Sequence, residues 1–239
     1  MRQSTTPRAS DVGRFGQLLR QAGLAGPIEY LFQIFHGLLH PHLLRSGATP
    51  RERSMPLAGD DVVPDATWVR TRAQTVRASP ERIWLWLAQL GADRGGWPGW
   101  YPFTRPHDTA ARVVLGRSIA PGDALLEVVG PESSARWDVV AVEPASYLVL
   151  HSCRTLGTGE PVTRSPGRHW TDISWTFVIR PQPDGSSRLL ARTRSVVSPR
   201  SFDVAMRWLG TGDTVMQREL LAAIAWRAER TREMRAISR

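Results

Sequence analysis

The sequence predicts an α+β domain in which a curved antiparallel sheet wraps around a long C-terminal helix. Three observations carry that expectation. Between residues 124 and 197, five short segments are rich in β-branched and alternating residues and are separated by turn signals such as "EPAS" and "PDGS". One strand-like segment and one sharply punctuated helix come before them. A long helical stretch, Ser201 to Thr231, follows. A sheet that buries one face against a closing helix encloses a cavity between the two.

Taken in order, Phe15–Leu24 and Pro27–Leu44 read as helices, the second with Pro27 at its start and Pro41 near its end. The segment "IEYLFQIFHGLLH" is interrupted by Glu29, Gln33 and His36, and is too short and too polar to span a membrane. Packing on the main domain or on a second chain is the first expectation. Peripheral membrane contact through residues 28–44 is the second. Gly47–Pro64, "GATPRERSMPLAGDDVVP", reads as a Pro- and charge-rich connector. The chain is therefore expected to divide into a helical extension with connector, residues 1–60, and a sheet domain, residues 61–235.

The first strand is "TWVRTRAQTV", residues 67–76. The helix "ASPERIWLWLAQLG" has Ser79 placed as N-cap, Pro80 and Glu81 in its first turn, and Gly91 as its stop. The glycines of "GADRGGWPGWYPF" follow a helix, whereas a phosphate-binding loop needs them before one, so that chemistry is excluded. The later strands are "ALLEVVG", "RWDVVAVEP", "YLVLHS", "DISWTFVIRP" and "SRLLARTRSVV". In the closing helix a break is expected at Gly210–Asp213, "GTGD". Beyond it Met216, Leu220, Ile224 and Ala228 share one face.

Composition excludes several functions. All 31 basic residues are arginine, and there is no lysine or asparagine, so Schiff-base lysine chemistry and a P-loop lysine are ruled out. The net charge of +9 would suit nucleic acid, but acidic residues are spread throughout and the arginines form no stripe interleaved with aromatics. Nucleic acid is therefore disfavoured as a partner. Cys153 is the single cysteine, and "MRQSTTPRASDVGR" has no apolar signal core, so a cytoplasmic protein is expected. "HGLLHPH" brings His36, His40 and His42 together, yet without a neighbouring carboxylate, so no metal is expected. No dinucleotide fingerprint or nucleophile elbow occurs, and no cofactor is expected.

The stretch "GATPRERSMPLAGDDVVPDATWVRTRAQTVRASPERIWLWLAQLGADRGGW" resembles bacterial members of the START-like (SRPBCC) superfamily, its polyketide cyclase/dehydratase-like subgroup. So do "ISWTFVI", "SRLLARTR" and "VMQRELLAAIAWRAE". The resemblance covers roughly residues 47–230 and is carried most specifically by "W-x-WLAQLG-x-DRGGW". It implies the helix-grip fold: a seven-stranded antiparallel sheet gripping the C-terminal helix around a hydrophobic pocket. It does not imply one activity; as no catalytic constellation is recognisable, binding or transport of a hydrophobic small molecule is expected, with a cyclase or dehydratase acting on a polyketide-like or aromatic substrate as the alternative.

The ligand is expected to meet Trp97, Trp100 and Tyr101 at the pocket mouth, where these aromatics act either as a lid or as a core plug. Trp137 and Met216 are further wall residues. In "DISWTFVIRPQPDGSSRLLARTR", Ile173, Trp175, Phe177 and Ile179 alternate and share the inner face. A turn of two or four residues, such as Pro183–Ser186, sets Trp175 opposite Arg194 and Phe177 opposite Arg192. Both arginines then face the pocket and hold an anionic or carbonyl-bearing ligand end. A three- or five-residue turn would reverse them. A four-residue turn at Glu143–Ser146 pairs Asp138 with His151 on the outer face, an ordinary polar contact. Trp137, Val139, Ala141, Leu148 and Leu150 then form the core side.

Overall fold

The computed structural model describes residues 46–98, 118–128, 134–156 and 159–231, with positions 31, 35, 39 and 113. The expected helices over 15–24 and 27–44 lie outside the described residues, except that Leu31, Phe35 and Leu39 are helical and exposed.

Six antiparallel strands form one sheet in the order β1-β6-β5-β4-β3-β2. They are β1 (Trp68–Val76), β2 (Ala124–Val128), β3 (Ser134–Glu143), β4 (Tyr147–Thr155), β5 (Trp170–Pro181) and β6 (Ser187–Ser198). Over residues 46–231 the described α-helices are α1 (Pro50–Ser54), α2 (Pro80–Leu87) and the closing α3 (Asp203–Arg230). The architecture is α+β, a helix-grip arrangement in which α3 packs on β1 and β6 and α2 packs on α3. Six strands occur among the described residues where the resemblance implied seven.

Strand alternation gives the sheet two covered faces. The inner one carries Val76, Leu148, Leu150, Phe177 and Leu189 into a core with Ile83 and Leu87 of α2 and Leu220 and Ile224 of α3. Ser79 precedes α2 in extended conformation, Pro80 opens it, and the helix stops before Gly91, whose φ of +122° a side chain would strain. The loop that follows covers the sheet edge. Ala92 N and Trp97 Nε1 both donate to Leu126 O of β2, at 2.7 and 2.8 Å, and Asp93 Oδ1 accepts from Leu126 N at 3.4 Å. The outward backbone groups of the edge strand at Leu126 are thereby paired.

Two expectations fail for local reasons. A bulge between Val139 and Ala141 shifts the β3 register, so Ala141 lies opposite Val149 on the outer face and Val142 packs against the core instead. And α3 runs unbroken through Gly210–Asp213. The weak helix formers there are held by packing: a Cβ on Gly210 would stand 2.7 Å from Trp68 Cζ2, and Thr214 Oγ1 donates back to Gly210 O at 2.7 Å.

The outer face is covered by residues 46–66, which read in sequence as a connector. Thr49 and Glu52 form a capping box on α1. Met55, Leu57 and Ala48 pack on Ala73, Val178 and Leu190 of the sheet. This strap is pinned by arginines of β6. Arg188 pairs with Glu52 at 2.7 Å, and that hydrogen bond holds the Glu52 carboxyl down at about 2 against the opposing effect of burial.

Candidate functional site

The turn between β5 and β6 decides what faces the interior. It holds five residues, Gln182–Ser186, closed by Gln182 N donating to Ser186 O at 2.8 Å, with Asp184 Oδ1 accepting from Ser186 N at 3.0 Å. Trp175 consequently lies opposite Thr193 and Phe177 opposite Ala191. Arg192 and Arg194 point to the outer side, contrary to the expectation built on a four-residue turn. They are not solvated there. All five Arg192 N–H groups are used: Nε on Thr71 Oγ1 (2.9 Å), Nη1 on Met55 O and Asp60 Oδ2 (2.9 and 2.7 Å), and Nη2 on Glu52 O and Arg53 O (2.8 and 3.1 Å). Arg194 donates to Val63 O and Pro64 O, both at 3.2 Å. These two arginines fasten the strap.

Five of the expected site residues do come together. Trp97 stacks on Trp175 at 5.7 Å with 7° between planes. Trp137 tilts against Trp175 at 5.5 Å, and Phe177 lies 4.8 Å from it. Met216 of α3 belongs to the same cluster. Trp175 is 1% exposed and Phe177 0%, with Trp97, itself 4% exposed, stacked over Trp175. Trp100 and Tyr101 lie outside the described residues.

Beside the aromatic cluster the inner face turns polar, through residues that the sequence did not single out. On β1, Arg70 and Arg72 alternate inward with Trp68 and Val76. Arg70 donates to Gly210 O at 3.1 Å and also meets Thr214 Oγ1. Arg72 is 4% exposed, and burial pushes its guanidinium down to about 10 despite the pull of Asp213. Burial likewise raises the Asp213 carboxyl to about 6, over the opposing attraction of Arg70 and Arg72, with Glu127 adding to the rise. Gln217, one turn on, donates from Nε2 to Asp213 Oδ2 and to Thr193 Oγ1 of β6, each at 2.7 Å.

Glu127 of β2 supplies the second polar group. It is buried, accepts from Trp137 Nε1 at 2.7 Å, and lies 3.8 Å from Arg154 Nη1, whose guanidinium sits 5.2 Å from the Trp137 ring centroid. Among the described residues, three arginines thus share the inner face with two carboxyls, one of which is partly protonated near pH 6. The balance is positive, so the arrangement suits an anionic or carbonyl group beside aromatic surface. Inward-facing arginines do lie beside the aromatic cluster, but they are Arg70 and Arg72 of β1 in place of Arg192 and Arg194 of β6. The signal available was the spacing Trp68-x-Arg70-x-Arg72. It was masked because Val69 and Ala73 in the alternate positions look more like a core face.

On the outer face, Asp138 and His151 are opposite one another as expected, yet His151 Nε2 bonds Asp172 Oδ1 at 2.6 Å and Asp138 takes Arg136 at 2.7 Å. Asp172 and Asp65 are bridged by Arg164. Burial and Asp172 push the Cys153 thiol up, away from thiolate. Among the described residues no group of three or more His, Cys, Asp and Glu could hold a metal, and His36, His40 and His42 lie outside them. Among those residues, too, no helix is long and apolar enough to cross a membrane.

No protein-family model and no curated protein matches the chain. Solved structures resemble it loosely. Mll3558 from Rhizobium loti is 16% identical with a TM-score of 0.40, covering 67% of this chain and 96% of its own. CV1439 from Chromobacterium violaceum is 15% identical with a TM-score of 0.42, covering 68% and 98%. Ara h 8.0201 is 12% identical with a TM-score of 0.33, covering 64% and 98%. With identities and scores this low, the fold class stands on the strand order and register themselves.

Proposed function

We propose that the chain binds a hydrophobic small molecule (a lipid, a polyketide or an aromatic compound) on the inner face of its sheet, as a START-like carrier or sensor of the polyketide cyclase-like subgroup. The ligand's acidic or carbonyl-bearing end meets Arg70, Arg72 and Asp213, and its apolar body lies against Trp137 and Trp175. One observation carries this reading: charged side chains are kept buried between sheet and helix, where apolar residues of similar volume would be at least as stabilising. Native mass spectrometry of the protein as purified should reveal an intact small molecule that decanoate displaces. A ligand-free mass together with no decanoate binding overturns the proposal.

A second reading, a cyclase or dehydratase acting on a polyketide-like or aromatic substrate, is favoured by Asp213. A carboxyl raised to about 6 beside an arginine can both give and take a proton near neutral pH. Turnover that is lost in Asp213→Asn while binding survives would select the enzyme. Binding without turnover of any substrate tested selects the carrier.

A further inference from the structure

We propose that Gln217 determines ligand specificity, its amide oxygen receiving a hydrogen bond from a hydroxyl group near the ligand's polar end, so that the chain selects a hydroxylated acid over the same acid without the hydroxyl. This rests on the inner-face binding reading above and adds to it the class of ligand.

The amide is held in one orientation. Gln217 is 2% exposed, and its Nε2 directs one proton to the Asp213 carboxyl and the other to Thr193 Oγ1. Turning the amide over would set oxygen against the Asp213 oxygen, so the Nε2 bonds fix where Oε1 points. That oxygen is buried and accepts no hydrogen bond among the described residues. A buried acceptor without a donor is costly, and folded chains seldom leave one. An amide oxygen can only accept. It cannot be satisfied by a ligand carboxylate or ketone, only by an O–H or N–H.

A second atom of the same face points the same way. Thr171 Oγ1 is buried without a hydrogen-bond partner among the described residues, and Thr171 is the cross-strand neighbour of Arg154. The inner face therefore holds arginines for an oxyanion, an acceptor at Gln217 that requires a donor, and a hydroxyl at Thr171 able to bond either. The combination fits a β-hydroxy acid better than a plain fatty acid: its carboxylate takes the arginines and its hydroxyl reaches Gln217.

Isothermal titration of the full chain with 3-hydroxydecanoate, 3-methoxydecanoate and decanoate tests this. The hydroxy acid should bind about tenfold more tightly than either of the others, because the methoxy group keeps the oxygen but has no proton to give. In Gln217→Leu the advantage of the hydroxy acid over the other two should disappear. Equal affinities in the unaltered chain overturn the specificity proposal while leaving the binding reading intact. Failure of all three to bind overturns the binding reading itself. Should Gln217→Leu not fold, the ranking of the three acids by the unaltered chain remains decisive.

Discussion

A carboxyl placed between the sheet and α3 trades hydration against charge pairing, and at Asp213 the loss of hydration outweighs the attraction of Arg70 and Arg72. Its folded-state value, about 6, lies above the ordinary 3.8, so the folded chain holds this proton more tightly than the unfolded chain does. The sign follows: this group's contribution to stability falls as pH rises from 3.8 to about 6 and is level beyond. Asp213→Asn keeps an acceptor for Gln217 and removes the titration. The variant should be more stable than the parent by about 1–2 kcal/mol at pH 8, with no gain at pH 3.5, as read from denaturant unfolding at the two pH values. A pH-independent difference would mean that Asp213 titrates in the folded chain as it does in the unfolded one. Nothing in the local sequence reveals this behaviour: "GTGDTVMQ" reads as a helix break, and only the approach of β1 makes Asp213 a buried acid.

Elements succeed or fail in the sequence according to how local their determinants are. All six strands and α2 were legible, since alternation, caps and turn residues act within a few positions. Parity was not. The inward direction of every β6 side chain depends on whether the turn closes at Pro183 or at Gln182, a difference of one hydrogen bond that propagates twelve residues along the strand. The inner face of β1 was equally hidden, because the strap makes the outer face apolar as well, at Ala73 and Leu190, and removes the usual contrast. Continuity of α3 is a tertiary effect, and Gly210→Ala measures it. Alanine gains about 1 kcal/mol of helix propensity, but its Cβ would stand 2.7 Å from the half-buried Trp68 ring, over which Arg70 stacks at 4.9 Å. Overpacking costs about 1–3 kcal/mol, so the clash wins and the melting temperature should drop by a few degrees. A rise in melting temperature would show that Trp68 yields freely.

For the molecule as a whole, the strap ties residues 46–66 to a sheet whose strands lie far along the chain. Its ionic attachments share a pH window. Glu52 is lowered to about 2 by the Arg188 hydrogen bond and Asp65 is lowered by the one from Arg164. At Asp172 burial alone would raise the carboxyl, but the bonds from His151 and Arg164 outweigh it. Depressed acids stabilise the fold above their unfolded values, and that contribution is lost as pH falls from 4.5 toward 2. Strap amides should therefore exchange with solvent faster at pH 3 than α3 core amides do, each referred to its own intrinsic rate. Arg192→Met should give the same loosening at pH 7, with a loss of about 3 kcal/mol from its five abandoned bonds. Uniform exchange across strap and core would refute a separately held strap. The β1–β6 pairing has a consequence in time as well as in space. Trp68 lies beside Ser195, 127 positions later, so on a ribosome adding about 5–20 residues each second the first strand emerges roughly 6 to 25 seconds before its neighbour exists. For that interval Arg70 and Arg72 are hydrated side chains on an unpaired strand, and they acquire their low-dielectric setting only after the last strand and the closing helix have been synthesised. The polar interior thus cannot form before the closing helix has been made.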